Sequence, residues 1–166
     1  TGEVLSDYKF NVKKVEIEGK CLAGKARKIG AENSSGDIII FQDADDFVNL
    51  QRTEIIKHLF DKHKNIMHIC HKWGLKEDII KKKYEMSKIK YIIAKRNLFR
   101  DSAFRKMEHI TNGNIAIRKD ILDKIRFFIN LERRQDIATN IYICDKYKSI
   151  FIKEKNVNET ELDFFY

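Results

Sequence analysis

Apolar positions along the chain recur at two different spacings, and the changes between them mark out alternating strands and helices. Val12 to Ile17 alternates apolar and polar side chains and ends at Glu18-Gly19, which predicts a short strand. From Leu22 to Asn33 the small and apolar residues Leu22, Ala23, Ala26, Ile29 and Gly30 recur at three and four, the spacing of an amphipathic helix. A turn cluster, Asn33-Ser34-Ser35-Gly36-Asp37, leads into Ile38-Ile39-Ile40-Phe41, an all-apolar run typical of a strand buried on both faces in a parallel sheet. Strand, helix and strand in this order predict a right-handed crossover unit.

A second helix is predicted over Leu50 to Lys62, with Leu50, Ile55, Ile56, Leu59 and Phe60 on one side, and another strand over Asn65 to His71. The following segment is expected to be helical in part, with Ile79, Ile80, Ile89, Ile93 and Phe104 facing inward. Thr111-Asn112-Gly113-Asn114 opens a short strand at Ile115 to Ile117. Helices over Asp120 to Phe127 and Arg134 to Tyr147 and a strand over Ser149 to Lys153 complete the series. The pattern is that of one α/β domain spanning residues 1–166, with no internal repeat and no long linker.

Composition narrows the class. With 43% apolar and 11% aromatic residues the chain suits a folded globule, and 166 residues suit a single core. No apolar run approaches the roughly 20 residues that cross a bilayer. Cys21, Cys70 and Cys144 lie far apart with no CxxC pair, which disfavours a zinc site or a disulfide framework and points to a reduced, cytosolic setting. The net charge is +8, and residues 76–106 carry +7 of it, with eleven Lys or Arg against four acids. That stretch is expected either to be a solvated face or to touch an anionic surface such as the inner face of a membrane.

The chemistry concentrates where the central apolar run ends. Asp43, Asp45 and Asp46 follow Ile38 to Gln42, and ligands of open α/β sheets bind outside the carboxyl ends of strands. Three acids in four residues repel one another, and a divalent cation is a natural way to offset them, hard carboxylate oxygens suiting magnesium or manganese. The plainer reading is an acidic helix start, with Asp46 at the positive end of the next helix's dipole. Longer context favours the first. Gly24-Lys25-Ala26-Arg27-Lys28-Ile29-Gly30-Ala31, then Ser35-Gly36-Asp37-Ile38-Ile39-Ile40-Phe41-Gln42-Asp43-Ala44-Asp45-Asp46, resembles the pattern of family 2 glycosyltransferases. These are inverting, nucleotide-sugar-dependent enzymes of the GT-A type.

The resemblance implies a GT-A, Rossmann-like sheet flanked by helices. It also implies that Asp43 contacts the uridine or ribose of a UDP-sugar donor, and that Asp45, with Asp43, holds Mn2+ or Mg2+ on the diphosphate. Arg27 matches the family's helix arginine, which faces the nucleotide and phosphates, while Lys28 stands where the family usually has Asn. Asn112-Gly113-Asn114-Ile115-Ala116-Ile117-Arg118-Lys119 resembles the Gly-Asn strand that follows, placing Gly113 and Asn114 at the donor and Arg118 on its phosphates. Arg133-Arg134-Gln135-Asp136 is similar to the family's Glu-Asp motif with Gln135 replacing Glu, which makes Asp136 the candidate catalytic base. Asp145 and Glu132 are weaker alternatives.

The resemblance covers about residues 12–147 and lacks the family's usual first strand and helix. It implies a saccharide or lipid-linked acceptor, and surface polysaccharide or lipopolysaccharide synthesis is the commonest setting. Two rivals remain: a basic binding module for nucleic acid or an anionic membrane, and a nucleotidyltransferase. No recognised nucleic-acid motif supports the former, so no nucleic-acid partner is expected, and the latter lacks a Gly-rich, Arg/Lys-containing loop. His68 and His71 fall on opposite faces of their strand, so joint metal ligation is not expected. Trp73 is assigned to core packing.

Overall fold

The computed structural model describes residues 12–43, 48–71, 82–94, 112–125, 127 and 130–152. Among these residues three α-helices, α1 (Ala23–Glu32), α2 (Arg52–Lys62) and α3 (Gln135–Lys146), flank a five-strand sheet. The strands are β1 (Ile38–Ile40), β2 (His68–His71), β3 (Tyr91–Ala94), β4 (Ile115–Arg118) and β5 (Ser149–Ile152), in the spatial order β1-β4-β2-β5-β3.

The period-two alternation of each strand feeds two separate cores. Ile39, Phe41, Cys70, Ile115, Ile117 and Phe151 point to one face, where Ala31 of α1 and Ile143 and Cys144 of α3 cover them. Ile69, Ala116, Ile150 and Ile152 point to the other, where Ile55, Ile56, Leu59 and Phe60 of α2 close over them. The apolar runs are therefore strands with a helix layer on each face, the α/β architecture expected. The helices expected near residues 22–33, 50–62 and 134–147 and the strands near 38–41, 65–71, 115–117 and 149–153 are all present, to within three residues at each end.

Four local expectations are corrected. Residues 12–17 form no regular element and pair with no strand among the described residues, and Val12 and Val15 stay 47% and 38% exposed. Val15 and Ile17 instead line an open cleft together with Ala26, Ile29 and Gly30 of α1, and with no strand at residues 12–17 the expected crossover unit does not form there. β1 is antiparallel to β4, with Ile39 opposite Ile117. Among the described residues the one parallel pair is β2 with β5. An apolar run reports burial on two faces and is blind to the direction of its neighbour. The part of the basic segment that is described, residues 82–94, forms a 3-10 turn, Met86–Lys88, and then a strand, and there Ile93, expected to face inward, is 47% exposed while Ile89 is buried. Ile79, Ile80 and Phe104 lie outside the described residues, as does Trp73. Finally, Lys119–Lys124 is a 3-10 helix rather than an α-helix, its buried Ile121 and Leu122 anchoring a short link.

Candidate functional site

β1 and β2 both run antiparallel to β4, so both end on the side of the sheet from which β4 starts. Asp43 follows the end of β1, His71 closes β2, and the 3-10 turn Asn112–Asn114 immediately precedes β4. The Phe41 N–H donates to the Ile115 carbonyl, 3.1 Å, which extends the ladder to the edge of this end. The sheet thus brings to one end Asp43 and the adjacent pair Gly113 and Asn114, candidates from two widely separated parts of the sequence. Asp45 and Asp46 lie outside the described residues.

α1 supplies the cation. Arg27 donates from Nη2 to Asp43 Oδ1 at 2.5 Å, with the two side chains 19% and 27% exposed. A charge-assisted bond in this half-buried setting is stronger than one on open surface. The helix is aimed from its first turn: its N-cap residue, Leu22, offers no side-chain cap, and the Gly24 N–H donates instead to Gln135 Oε1, 2.7 Å away, at the start of α3. Only a glycine fits there, since a Cβ would stand 2.7 Å from that oxygen and 2.9 Å from the Phe127 carbonyl.

Asp136 therefore sits in the first turn of a helix tied to α1, and α3 also packs against the 112–114 turn. Asp136 is half-buried, and its Oδ1 accepts the Ile137 N–H at 2.8 Å. The residue before this turn, Arg134, adopts the left-handed conformation at φ 55°, a strained choice for a side chain with a Cβ. That reversal is what directs Gln135 toward Gly24.

Asn114 is 5% exposed and its Nδ2 has no hydrogen-bond partner among the described residues. A buried amide donor without a partner costs about 1–3 kcal/mol, so a site beside it is receptive to an acceptor oxygen. Gly113 is buried next to it and presents its carbonyl inward.

Arg118 is not brought to this end. It lies opposite Ile38, at the other end of β1 from Asp43. Its Nε and Nη2 donate to the carbonyls of Ile66 (2.9 Å) and Phe60 (2.7 Å), and its guanidinium stacks over the Phe60 ring at 4.9 Å. The expected phosphate contact is corrected to a structural one that satisfies carbonyls at the end of α2. An apolar β4 residue count places Arg118 correctly on the strand, but only the antiparallel register shows which end of the sheet it reaches.

Sequence reasoning passed over Arg52. It is 8% exposed and donates to four groups: Phe41 O, Gln42 Oε1, Gly113 O and His71 Nε2. The signal was present, because Arg52 stands at the helical spacing of Ile55, Ile56, Leu59 and Phe60, on the apolar side of α2. A charged residue on a buried stripe asks for partners.

The family model of Glycosyl transferase family 2 matches residues 1–126 of the chain's 166 residues. The chain belongs to this family. The family 2 glycosyltransferase domain is a mixed α/β unit whose five-strand open sheet is flanked by helices in the GT-A-like manner. Arg27, Asp43, Asp45, Gly113, Asn114 and Arg118 lie within the matched residues, and Asp136 lies beyond them. No curated protein matches the chain. The activity of this family is sugar transfer, which implies a nucleotide-sugar donor and an acceptor. None of the helices described is long and apolar enough to cross a membrane.

Proposed function

We propose that this glycosyltransferase moves a sugar from a UDP-sugar to a hydroxyl acceptor with inversion, at the end of the sheet where β1 and β2 stop. The observation that carries the reading is the convergence there of the Arg27–Asp43 pair with the buried, unpartnered Asn114 amide. In this reading Asp43 receives the uridine or ribose hydroxyls, Arg27 turns toward the diphosphate, and Gly113 and Asn114 meet the sugar. Asn114 Nδ2 is a donor of the right kind for a hydroxyl or phosphoryl oxygen.

Members of the family commonly use a divalent ion. The residues fit one: Asp43 offers a hard oxygen donor, 27% exposed and therefore reachable, and Asp45 follows it by two residues. Mn2+ or Mg2+ held by Asp45 and Asp43 would offset the charge that develops on the departing diphosphate. Asp136 is the proposed base, removing the acceptor hydroxyl proton as that oxygen attacks the anomeric carbon from the face opposite the nucleotide. Its neighbour Gln135 is an amide engaged by Gly24 and has no carboxylate to compete for this role. The acceptor we propose is a saccharide or lipid-linked hydroxyl in surface polysaccharide synthesis, supported only by the family resemblance.

Calorimetric titration of UDP, with and without manganese and repeated on Asp45→Ala, tests the donor site. Manganese-dependent binding that vanishes in the variant is expected. Absence of binding under both conditions would overturn the reading and make the acidic cluster a helix start.

A further inference from the structure

Arg52 has no part in the assignment above, yet its partners are the segments that carry that assignment. Its Nη2 donates both to the Phe41 carbonyl (2.8 Å) and to the Gly113 carbonyl (2.7 Å), while Nη1 donates to Gln42 Oε1 (2.7 Å) and Nε to His71 Nε2 (2.9 Å). Phe41 and Gln42 are the two residues before Asp43, and Gly113 is the residue before Asn114. One guanidinium therefore joins the carboxyl end of β1, the end of β2 and the turn before β4.

We propose that Arg52 is the positioning residue of the donor site, setting the distance between the Asp43 segment and the Gly113–Asn114 turn. Three features support this. The bonds are geometrically specific, because a planar fork reaches several acceptors at fixed angles and a lysine ammonium does not. The side chain is 8% exposed, so the bonds compete little with water. The root of the side chain is also rigid: Arg52 opens α2, whose Ile55, Ile56, Leu59 and Phe60 are locked into the core below the sheet. The end of β1 and the turn before β4 are joined besides by the short β1–β4 ladder, three residue pairs long, and the Phe41–Ile115 bond that extends it.

The proposal rests on the donor-site reading, and its test separates the two. UDP is titrated with manganese into the unaltered protein, Arg52→Lys and Ile56→Val, each well below its own thermal midpoint. Ile56 is a buried residue one turn along α2 that belongs to the apolar cluster with Leu59, Phe60 and Ile69. Arg52→Lys is expected to weaken UDP binding roughly ten-fold or more, as misplacement of a binding group does. Ile56→Val is expected to lower the midpoint and leave the affinity unchanged. Arg52→Lys binding UDP as tightly as the unaltered protein would overturn the positioning role and leave the donor site standing. So would affinity that falls in Ile56→Val in step with its midpoint, which would make stability the cause. Failure of the unaltered protein to bind UDP would remove the donor site itself and the positioning role with it. If Arg52→Lys does not fold, Gln42→Ala removes one acceptor from an exposed side chain. About a three-fold loss of affinity is then expected, and an unchanged affinity overturns the proposal.

Discussion

Acid should destabilise this fold through one histidine. His68, on β2, is fully buried among Cys144 of α3 and Ser149 of β5, with Nδ1 3.0 Å from Ser149 Oγ and 3.8 Å from Cys144 Sγ. Burial pushes its pKa down from 6.5 to about 4, and the nearby Asn140 amide opposes that only in part. The unfolded chain therefore binds this proton more readily than the folded one, so stability is complete above pH 6.5 and is lost as pH falls toward 4. The gap between 6.5 and 4, at about 1.36 kcal/mol per pH unit, amounts to about 3 kcal/mol. The assay is urea unfolding at pH 7, 6, 5 and 4, on the unaltered protein and on His68→Gln, which cannot take up the proton at this position. Other groups titrate in the same window in both proteins, so the informative quantity is the difference between the two pH dependences. The unaltered protein should lose about 3 kcal/mol more than the variant across the range. Parallel curves would refute the reasoning, because they would mean that His68 is either hydrated or already charged in the folded state.

Three further outcomes follow from the same geometry. Gly24→Ala forces a methyl against the Phe127 carbonyl and the Gln135 side chain, and should cost about 1–3 kcal/mol in urea unfolding, with Gln135→Ala costing less in that background than alone. Arg134→Gly relieves the left-handed strain at φ 55° and should be neutral or stabilising by about 1 kcal/mol, whereas Arg134→Val should lower the thermal midpoint. Arg118→Ala leaves the Phe60 and Ile66 carbonyls without their donor and should cost about 2–3 kcal/mol of stability, read by the same unfolding assay.

Much of the fold is legible before any coordinates are known. Runs such as Ile38-Ile39-Ile40, Ile115-Ala116-Ile117 and Ser149 to Ile152 read as buried strands, because they are short and rich in β-branched residues, and such runs hide side chains on both faces of a sheet. The spacing of Ile55, Ile56, Leu59 and Phe60 likewise forces a helix lying on that sheet. The order of residues from Gly24 to Asp46 carried the family, and with it Arg27 and Asp43, now seen as an ion pair. These features are readable because side-chain periodicity is a local property, set by the backbone geometry of a few consecutive residues.

Tertiary structure decided the rest. Whether β1 runs with or against its neighbour depends on a strand that arrives 76 residues later, Ile40 meeting Ala116, and backbone hydrogen bonds carry no residue code for that choice. The direction then determines which end of the sheet each residue reaches, bringing Gly113 and Asn114 beside Asp43 and carrying Arg118 away from it. In the same way the cap on α1 comes from Gln135, 111 residues distant from Gly24, and the partners of Arg52 come from three separate segments. A side chain's type states which bonds it needs, but its partners are chosen by the packing that brings distant backbone into reach.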